Sequence, residues 1–597
     1  MKLSRLLLIS AVAISLTSCD DLFEPALENN QDISEMYKNP EFARGILDNA
    51  YLALPYSTSP STDVATDDAV TNDNSDNYKK MATGSWAANM NPVSQWDGRY
   101  HAIQYCNLML ENCDKVAWAY SSEVLNKMYA DNYKGNAYAL RGLHMFYLLR
   151  AHAGMVDGQL MGVPIHLASE TSASDFNLPR NTFKECIDQI MSDFDEALKY
   201  LPEQYGDVEE ENVPAKYAQK GATNAEYNRA FGTNHRGKID GRIISAFKAQ
   251  VAIMAASPAY ASAGVFTYED AAKLAADCLK NFGGLSACDP DGWKWFDNKS
   301  LIDGLGATAD NPKEIIWRGN IDENNSLETE NYPSTLYGKG RVNPTQNLVD
   351  AFPMANGYPI TDTNSGYNAN DPYADRDPRL KAYILVNGDK IGSTDGVVNS
   401  AADSKTTDGL NKENGKSTKT GYYLRKLLRS DINLNPNSTT KQKHLNARIR
   451  STEILLDYAE AANEAQGPKA NVGGANYSAY DVIKAIRERA GIGEFGEDPY
   501  LEECAQSKEK MRELIRNERR LELCFENHRF WDLRRWKANL NEAAKGINIT
   551  TNEATGAFFY KTFDAEERKY DDYMFYGPIP YSEILKYSNL KQNEGWK

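Results

Sequence analysis

A pair of glutamates near the C-terminus is the strongest candidate for bond-breaking chemistry in this 597-residue chain. Glu518 and Glu522 lie four residues apart, so a helix would place both on one face, as the acid and base of a glycosidase require. The segment is also rich in arginine, and a carboxylate beside arginine is held ionised. The pattern therefore favours a structural clamp of buried ion pairs over catalysis. The predicted clamp comprises Glu518, Arg519, Glu522, Arg529, Asp532, Arg535 and Trp536.

Three patterns that could indicate a cofactor or a metal are weak. Gly491–Gly496 spells G-x-G-x-x-G, but it follows a predicted helix, whereas a dinucleotide site requires a strand before the glycines. The seven histidines form no H-E-x-x-H and no close cluster with cysteine, so no zinc site is predicted. Residues 73–78 begin like a calcium loop, but Tyr78 replaces the turn glycine, which favours a polar surface turn. The sequence predicts no catalytic residue, cofactor or metal, and leaves only calcium open.

The remaining chemistry is stacking by aromatic side chains, of which 35 are tyrosine and 9 are tryptophan. Sugar C–H faces pack on aromatic planes, while the hydroxyl groups bond to Asn, Asp, Gln and Arg. Trp293 and Trp295 would share one face if their segment is extended. Trp531 lies in a helical context that favours a core position. The predicted ligand-binding residues, all in predicted loops, are Tyr78, Trp86, Trp293, Trp295, Tyr332 and Tyr337.

The elements that must position these residues are predicted to be mainly helical, because apolar residues recur with helical spacing up to glycine or proline. The predicted helices cover 41–54, 96–112, 132–153, 182–201, 242–256, 268–281, 449–465, a stretch beginning at Ser478, and 508–525. Small residues at the crossings predict tetratricopeptide-like helix pairs. The predicted fold class is mainly α, a tetratricopeptide-like helix-pair scaffold with long loop-rich insertions and a few short strands.

The scaffold is predicted to occupy residues 30–285 and 445–597. Between them, residues 286–444 are rich in Gly, Asn, Asp and Pro, and 387–419 is nearly of low complexity. A short strand pair between 314–317 and 421–424 is plausible there. Long loops on a rigid scaffold usually carry binding sites, so 286–444 is predicted to face the ligand.

The N-terminus is typical of an exported lipoprotein. Lys2 and Arg5 precede an apolar run, Leu6–Leu16, that is too short to span a bilayer. The sequence Leu-Thr-Ser before Cys19 looks like a bacterial lipobox, which predicts a signal peptide at 1–18 and lipidation of Cys19. The net charge of −17 argues against nucleic acid and anionic membrane surfaces as partners. Membrane contact is therefore predicted through the lipid alone, with 19–597 as the body.

Several motifs in the expected order resemble the SusD/RagB family of surface lipoproteins. The run Glu518 to Leu523 matches an E-R-x-x-E-L pattern, and Asp532 to Trp536 matches D-L-x-R-W. Asn527 stands where the family usually has glycine, and Asn tolerates the left-handed conformation required there. Further matches are Arg448–Ala461, Ile486–Gly491, Ala139–Tyr147, Gly162–Pro164, Asp377–Leu380 and Pro578–Pro580. The resemblance runs from the lipobox to the C-terminus, apart from the loops.

The resemblance implies a lipoprotein of the outer membrane that faces the cell surface and covers a SusC-like TonB-dependent transporter. It implies capture of a glycan for import, and no bond chemistry. Capture of peptide, as in the RagB branch, is the alternative, and it would require a cleft with exposed backbone groups. A surface hydrolase is a third alternative, which would require an isolated carboxylate pair or a nucleophile in a pocket.

Overall fold

The computed structural model describes residues 33–493 and 497–597, and these form a body built mainly of α-helices. The predicted signal peptide 1–18 and Cys19 lie outside the described residues, as does Gly496. Among the described residues, none of the helices combines the length and apolarity that a bilayer crossing requires. The predicted fold class, a mainly α scaffold of tetratricopeptide-like helix pairs, is confirmed.

The helices follow the predicted pattern closely, and Trp96–Asn112 agrees with its prediction at both ends. In chain order they are α1 Pro40–Leu52, α2 Asn77–Lys80, α3 Trp96–Asn112, α4 Glu123–His152, α5 Phe183–Leu198, α6 Ala215–Ala218, α7 Asn224–Phe231, α8 Gly241–Ala256, α9 Tyr268–Lys280, α10 Lys299–Gly304, α11 Ser326–Asn331, α12 Gln346–Ala351, α13 Pro378–Tyr383, α14 Ser451–Gln466, α15 Ala479–Arg489, α16 Pro499–Cys504, α17 Lys508–Leu523, α18 Arg529–Arg535 and α19 Tyr581–Lys586. Helix α4 begins nine residues before its predicted start, because Ser122 caps it by accepting a hydrogen bond from the Leu125 N–H.

Neighbouring helices in the chain pack on one another and build the main core. Helix α4 packs on α3 and α5, α8 packs on α9, and α14 packs on α9 and α17. Gly142 brings α4 and α5 together, because a Cβ at this position would lie 3.0 Å from the Phe194 ring. Ser478 and Asp481 form the predicted capping box at the start of α15, which confirms that helix boundary.

The strands are short and occur as two-stranded pairs. In chain order they are β1 Ala69–Thr71, β2 Gly154–Val156, β3 Gln159–Met161, β4 Ile315–Arg318, β5 Asp322–Asn324, β6 Val342–Pro344, β7 Ile384–Leu385, β8 Lys390–Ile391, β9 Gly396–Val397, β10 Tyr423–Leu424, β11 Gln442–His444, β12 Ala447–Arg450, β13 Ala544–Thr551 and β14 Phe558–Glu566. Strands lie near both predicted positions, but the predicted pairing is wrong. Strand β4 pairs with β12, and β10 pairs with β7.

Residues 286–444 contain short helices and strands that pack around two smaller apolar cores. One core contains Phe352, Tyr383 and Leu424 with Trp293 and Trp295, and it is shared with Leu521 and Phe525 near the end of α17 and with Ile547 of β13. Gly292–Lys294 forms a 3₁₀-helix, so the extended conformation expected around Trp293 and Trp295 is wrong. The hairpin of β13 and β14 was not predicted at all.

The two ends of the described chain are joined by buried ion pairs and hydrogen bonds. Asp67 forms ion pairs with Arg529 at 2.8 Å and with Arg520 at 2.9 Å. The Asp63 carboxylate accepts hydrogen bonds from the backbone N–H groups of Phe525 and Asn527, at 3.1 and 3.0 Å. Asn527 has φ +64°, the left-handed conformation expected at this position. The segment after α1 is therefore held against the α17–α18 turn.

Candidate ligand-binding cleft

An open cleft of about 210 Å³ lies where the segment after α1, the end of α4, strand β12 and helix α18 meet. Its lining combines aromatic rings, arginines, amides and carboxyl groups, which is the mixture expected of a site for a polar, ring-shaped ligand. The lining residues that matter most are Tyr56, Tyr78, Gln95, Tyr147, Arg150, Gln250, Arg448, Glu453, Asp457, Arg519, Glu526, His528, Trp531, Asp532 and Arg535. We refer to this feature as the main cleft.

Three aromatic side chains form one wall of the main cleft. The Tyr147 hydroxyl donates a hydrogen bond to the Tyr56 hydroxyl at 3.0 Å, and the two rings meet edge to face, with centroids 5.8 Å apart. Trp531 lies on α18 with part of its ring exposed. Helix α4 positions Tyr147 and Arg150 together, because residues three apart lie on the same face.

Two arginines face the main cleft without a polar partner. The Arg150 guanidinium lies over Trp531 at 4.3 Å and over Tyr147 at 4.6 Å from the ring centroids. Arg448 lies over Trp317 at 4.6 Å and over Tyr56 at 5.4 Å. Burial lowers the pKa of both guanidinium groups, which nevertheless stay charged. The Nε–H of each is buried and donates to no acceptor within the described residues.

The floor of the main cleft is a network of ion pairs. Arg519 contacts Asp457 at 2.7 Å and Asp532 at 2.8 Å, and Arg535 contacts Asp532 at 2.8 Å. Burial opposes ionisation of Asp532, but Arg519 and Arg535 outweigh it and hold the pKa of this carboxyl below its ordinary value. Asp532 is therefore held ionised between two arginines and is a poor proton donor, whereas burial raises the pKa of Asp457 to about 6.

Glu453 and His528 are buried beside this network and are neutral at pH 7. Burial, with the nearby charge of Asp457, raises the pKa of Glu453 to about 8. The Glu453 carboxyl accepts a hydrogen bond from the Gln250 amide at 2.8 Å. Burial and the charge of Arg519 lower the pKa of His528 to about 3. The lining thus holds five charged arginines against three ionised carboxylates.

The residues of the predicted clamp all take part in buried polar contacts, but some partners differ from those expected. Glu518 pairs with Arg487 at 2.7 Å and with Arg379 at 2.9 Å, and Glu522 pairs with Arg489 at 3.0 Å. The expectation that arginines of the same segment neutralise these glutamates is therefore wrong. On the other side, Arg535 and the Trp536 indole both bind Glu460, at 2.5 and 2.8 Å.

Of the aromatic residues predicted to bind ligand, only Tyr78 lines the main cleft. Tyr337 is 56% exposed and lies elsewhere. The other four, Trp86, Trp293, Trp295 and Tyr332, are all buried. Trp86 is 4% exposed and packs against Trp596 with centroids 4.9 Å apart, so it presents no free ring face. Ligand contact by these four stays a prediction that would require them to move.

The residues that supply the aromatic rings and the unpaired arginines of the main cleft were not predicted from the sequence to bind ligand. Tyr147 appeared only within the family motif Ala139–Tyr147, and Trp531 was placed in the core. Arg150 and Arg448 received no ligand role, although Arg150 closely follows two aromatic residues, Phe146 and Tyr147. Among the described residues, no residue of 286–444 lines the main cleft, so a ligand-facing role for that region stays a prediction.

The possibility of a calcium site at residues 73–78, which the sequence left open, can be compared with the structure directly. Within the ranges 33–493 and 497–597, no group of three or more His, Cys, Asp or Glu side chains could hold a metal ion. In the calcium-like segment, the Asp73 carboxylate accepts hydrogen bonds from the Ser75 backbone and hydroxyl at 2.9 and 2.6 Å. These contacts close a local turn around Asp73.

Comparisons with known proteins agree on one family. A sequence model described as "SusD family" matches residues 313–596, and one described as "Starch-binding associating with outer membrane" matches residues 27–225. A relative named SusD-like protein P2, from Formosa agariphila, is 30% identical over 145 residues. That match covers 24% of this chain, and the chain spans only about a quarter (24%) of that relative.

Solved structures share the fold over nearly the whole chain. A SusD-like protein from Bacteroides fragilis has a TM-score of 0.71 at 22% identity, covering 96% of this chain and 100% of its own. A SusD-like carbohydrate binding protein from the same species has a TM-score of 0.66 at 19% identity, with coverage of 93% and 100%. The two sequence models match most of the chain between them, and the helical scaffold agrees with these structures. The two sequence models, the relative and the solved structures together indicate that this is a SusD-like protein.

Proposed function

We propose that this protein captures a glycan at the main cleft and does no bond chemistry. The observation that carries the proposal is the aromatic wall of Tyr56, Tyr147 and Trp531 beside side chains with unused hydrogen-bonding groups. Two comparisons support it: one matching family is described as starch-binding, and a structural neighbour is named a carbohydrate binding protein. SusD-like proteins are binding proteins and not enzymes.

The chemistry of the main cleft suits a sugar. A pyranose ring offers apolar C–H faces to aromatic rings and hydroxyl groups to hydrogen-bonding side chains. Arg150, Arg448 and the side-chain amide of Gln95 provide donors that no described protein group uses. The volume of about 210 Å³ is below the ~300–1,000 Å³ typical of sites that enclose a drug-sized ligand. The main cleft would therefore hold one part of a longer glycan, and the rest would extend into solvent.

Replacing Trp531 by alanine is expected to weaken glycan binding about tenfold, because the largest exposed ring of the wall is lost. Affinity gel electrophoresis against a panel of neutral and acidic polysaccharides identifies the ligand, and calorimetry then gives the dissociation constants. The matched control is Tyr337→Ala, which removes an exposed ring from the region 286–444. Unchanged unfolding midpoints show that both variants are folded.

The Tyr337→Ala control also distinguishes between two locations of the glycan site, the main cleft and the 286–444 region. Weaker binding by Tyr337→Ala with normal binding by Trp531→Ala would move the glycan site to the 286–444 region. Binding of a peptide in the absence of any glycan binding would favour the peptide alternative. Failure to bind any polysaccharide of the panel would count against glycan capture itself.

We also propose that the protein is anchored to the outer membrane by lipid on Cys19, faces the cell surface and delivers its ligand to a SusC-like TonB-dependent transporter. The family description of association with the outer membrane supports this placement. Replacing Cys19 by serine is expected to move the protein from the membrane fraction to the soluble fraction and to abolish incorporation of labelled palmitate. Retention of the variant in the membrane fraction would contradict the lipid anchor.

A further inference from the structure

We infer that the main cleft selects glycans that carry an acidic group, with the oxyanion held by Arg150 and Arg448. This inference rests on the proposed function, since it names the chemical class of ligand for the same site. The oxyanion is a carboxylate or a sulfate ester, because both present oxygen acceptors in the geometry that a guanidinium recognises.

The first observation is that neither arginine has an acid of its own. Arg450, two residues after Arg448, contacts Glu314 at 2.6 Å and Glu526 at 2.8 Å. Arg448 itself, like Arg150, forms no ion pair and no hydrogen bond within the described residues. The Nη groups of both arginines also lack an acceptor among the described protein groups, and because both side chains are only partly buried, a ligand oxygen can accept from these groups. The unpaired donors therefore point to an anion that arrives with the ligand.

The second observation is the way in which the two guanidinium groups are held. Each guanidinium carbon lies over aromatic rings, that of Arg150 over Trp531 and Tyr147, and that of Arg448 over Trp317 and Tyr56. A guanidinium held over a ring by cation–π attraction still has N–H groups that can donate to a ligand oxygen. The hydrogen bond between the two tyrosines places both arginines on one side of the main cleft. The donors are thus fixed in position before a ligand binds.

The third observation is the balance of charge around the two arginines. The ionised carboxylates that face the cleft have arginine or lysine partners: Asp457 and Asp532 with Arg519, and Glu526 with Arg450 and Lys426. Glu453 is protonated at pH 7, and His528 is neutral. The positive charges of Arg150 and Arg448 are therefore not paired with a carboxylate of the described residues. In a chain of net charge −17, such a positive lining favours an anionic group over a neutral one.

An acidic sugar fits these observations better than an acidic peptide. A free C-terminal carboxylate could also bind two arginines, but it would leave the exposed part of the Trp531 ring without a flat partner. A uronic acid or a sulfated sugar places a charged group at the edge of a ring whose C–H faces can stack on the same wall.

The test compares acidic polysaccharides with neutral versions of the same backbone. The probes are polygalacturonate against its fully methyl-esterified form, for the carboxylate, and ι-carrageenan against its desulfated form, for the sulfate. Wild-type protein is expected to bind at least one acidic probe tenfold or more tightly than its neutral counterpart. The double variant Arg150→Gln, Arg448→Gln is expected to lose this preference, so that an acidic probe and its neutral counterpart bind it with equal affinity.

A matched control is Arg516→Gln on helix α17. The guanidinium carbon of Arg516 also lies over an aromatic ring, 4.7 Å from the centroid of Trp536. Like Arg150 and Arg448, Arg516 has no ion pair in the described part of the chain, but it does not line the main cleft. This variant should retain the wild-type preference. Unfolding midpoints within a few degrees of wild type show that each variant is folded.

The possible outcomes distinguish failure of the anion site from failure of glycan capture. Equal binding of acidic and neutral probes overturns the anion site and leaves glycan capture standing. No binding of any polysaccharide overturns both. A preference for acidic probes that survives in the double variant also overturns the inference. Displacement of bound acidic glycan by a peptide with a free C-terminal carboxylate, but not by the same peptide with an amidated C-terminus, would show that the two arginines bind peptide instead.

Discussion

Replacing Arg379 by methionine is expected to lower the free energy of unfolding by about 3–5 kcal/mol. Arg379 is fully buried and contacts Asp377 at 2.7 Å, Glu518 at 2.9 Å and Glu522 at 3.1 Å, all three also buried. Methionine fills much of the same space but leaves three carboxylates with less positive charge between them. Asp377 is affected most, since its side chain has no other ion pair among the described residues. Urea unfolding followed by circular dichroism measures the change.

The control for this prediction is the same substitution at an exposed ion pair. Arg44 contacts Glu41 at 2.5 Å on the surface of α1, with 46% and 71% of the two side chains exposed. Water screens such a pair, so Arg44→Met should change stability by no more than about 1 kcal/mol. Equal effects of the two substitutions would show that the buried cluster does not stabilise the fold in the way described.

Replacing Lys426 by methionine is expected to destabilise the protein by a similar amount, about 3–5 kcal/mol. Its buried ammonium group donates to the Glu522 carbonyl at 2.8 Å, to the Cys524 carbonyl at 3.0 Å and to the Glu526 carboxylate at 2.7 Å. The two carbonyls belong to the end of α17, where the helix leaves them without partners of its own. Methionine would leave all three acceptors short of a donor.

Lys426 also joins residues 286–444 to the helical scaffold, so its replacement should destabilise residues 286–444 more than the scaffold. We expect limited proteolysis of Lys426→Met to begin within 286–444 and to proceed faster than in the wild type. Lys416→Met is the control, because Lys416 pairs with Glu413 at the surface, with 54% and 43% of the side chains exposed. Cleavage of both variants at the wild-type rate would argue against this linking role.

The helical scaffold could be predicted from sequence because its signals are local. Apolar spacing and end signals lie within one segment, as in α3, whose bounds agree with the prediction. The start of α14 shows where such signals fail. Ile449 continues the apolar pattern of the helix, but residues 447–450 form strand β12 because they pair with β4, more than 100 residues earlier. Pairing over such distances cannot be read from a local pattern.

The candidate site was harder to predict for a related reason. Whether an aromatic ring is exposed depends on what packs over it, and that partner can lie anywhere in the chain. Trp86 looked like a loop residue, but Trp596 near the C-terminus covers it. Trp531 looked like a core residue, but the short helix α18 leaves part of its ring at the cleft. The lack of an acid beside Arg150 and Arg448 is likewise visible only in three dimensions.

The contact between the ends of the chain has a consequence for biogenesis. During synthesis, Asp63, Asp67 and Asp68 are made long before the arginines and backbone donors that bind them, which follow more than 400 residues later. Burying these acids without those partners would be unfavourable, so the segment after α1 can dock only once α17 and the turn to α18 have been made. A chaperone would meet a chain in which this segment stays undocked until then, and a version truncated before residue 520 should remain a substrate for proteases.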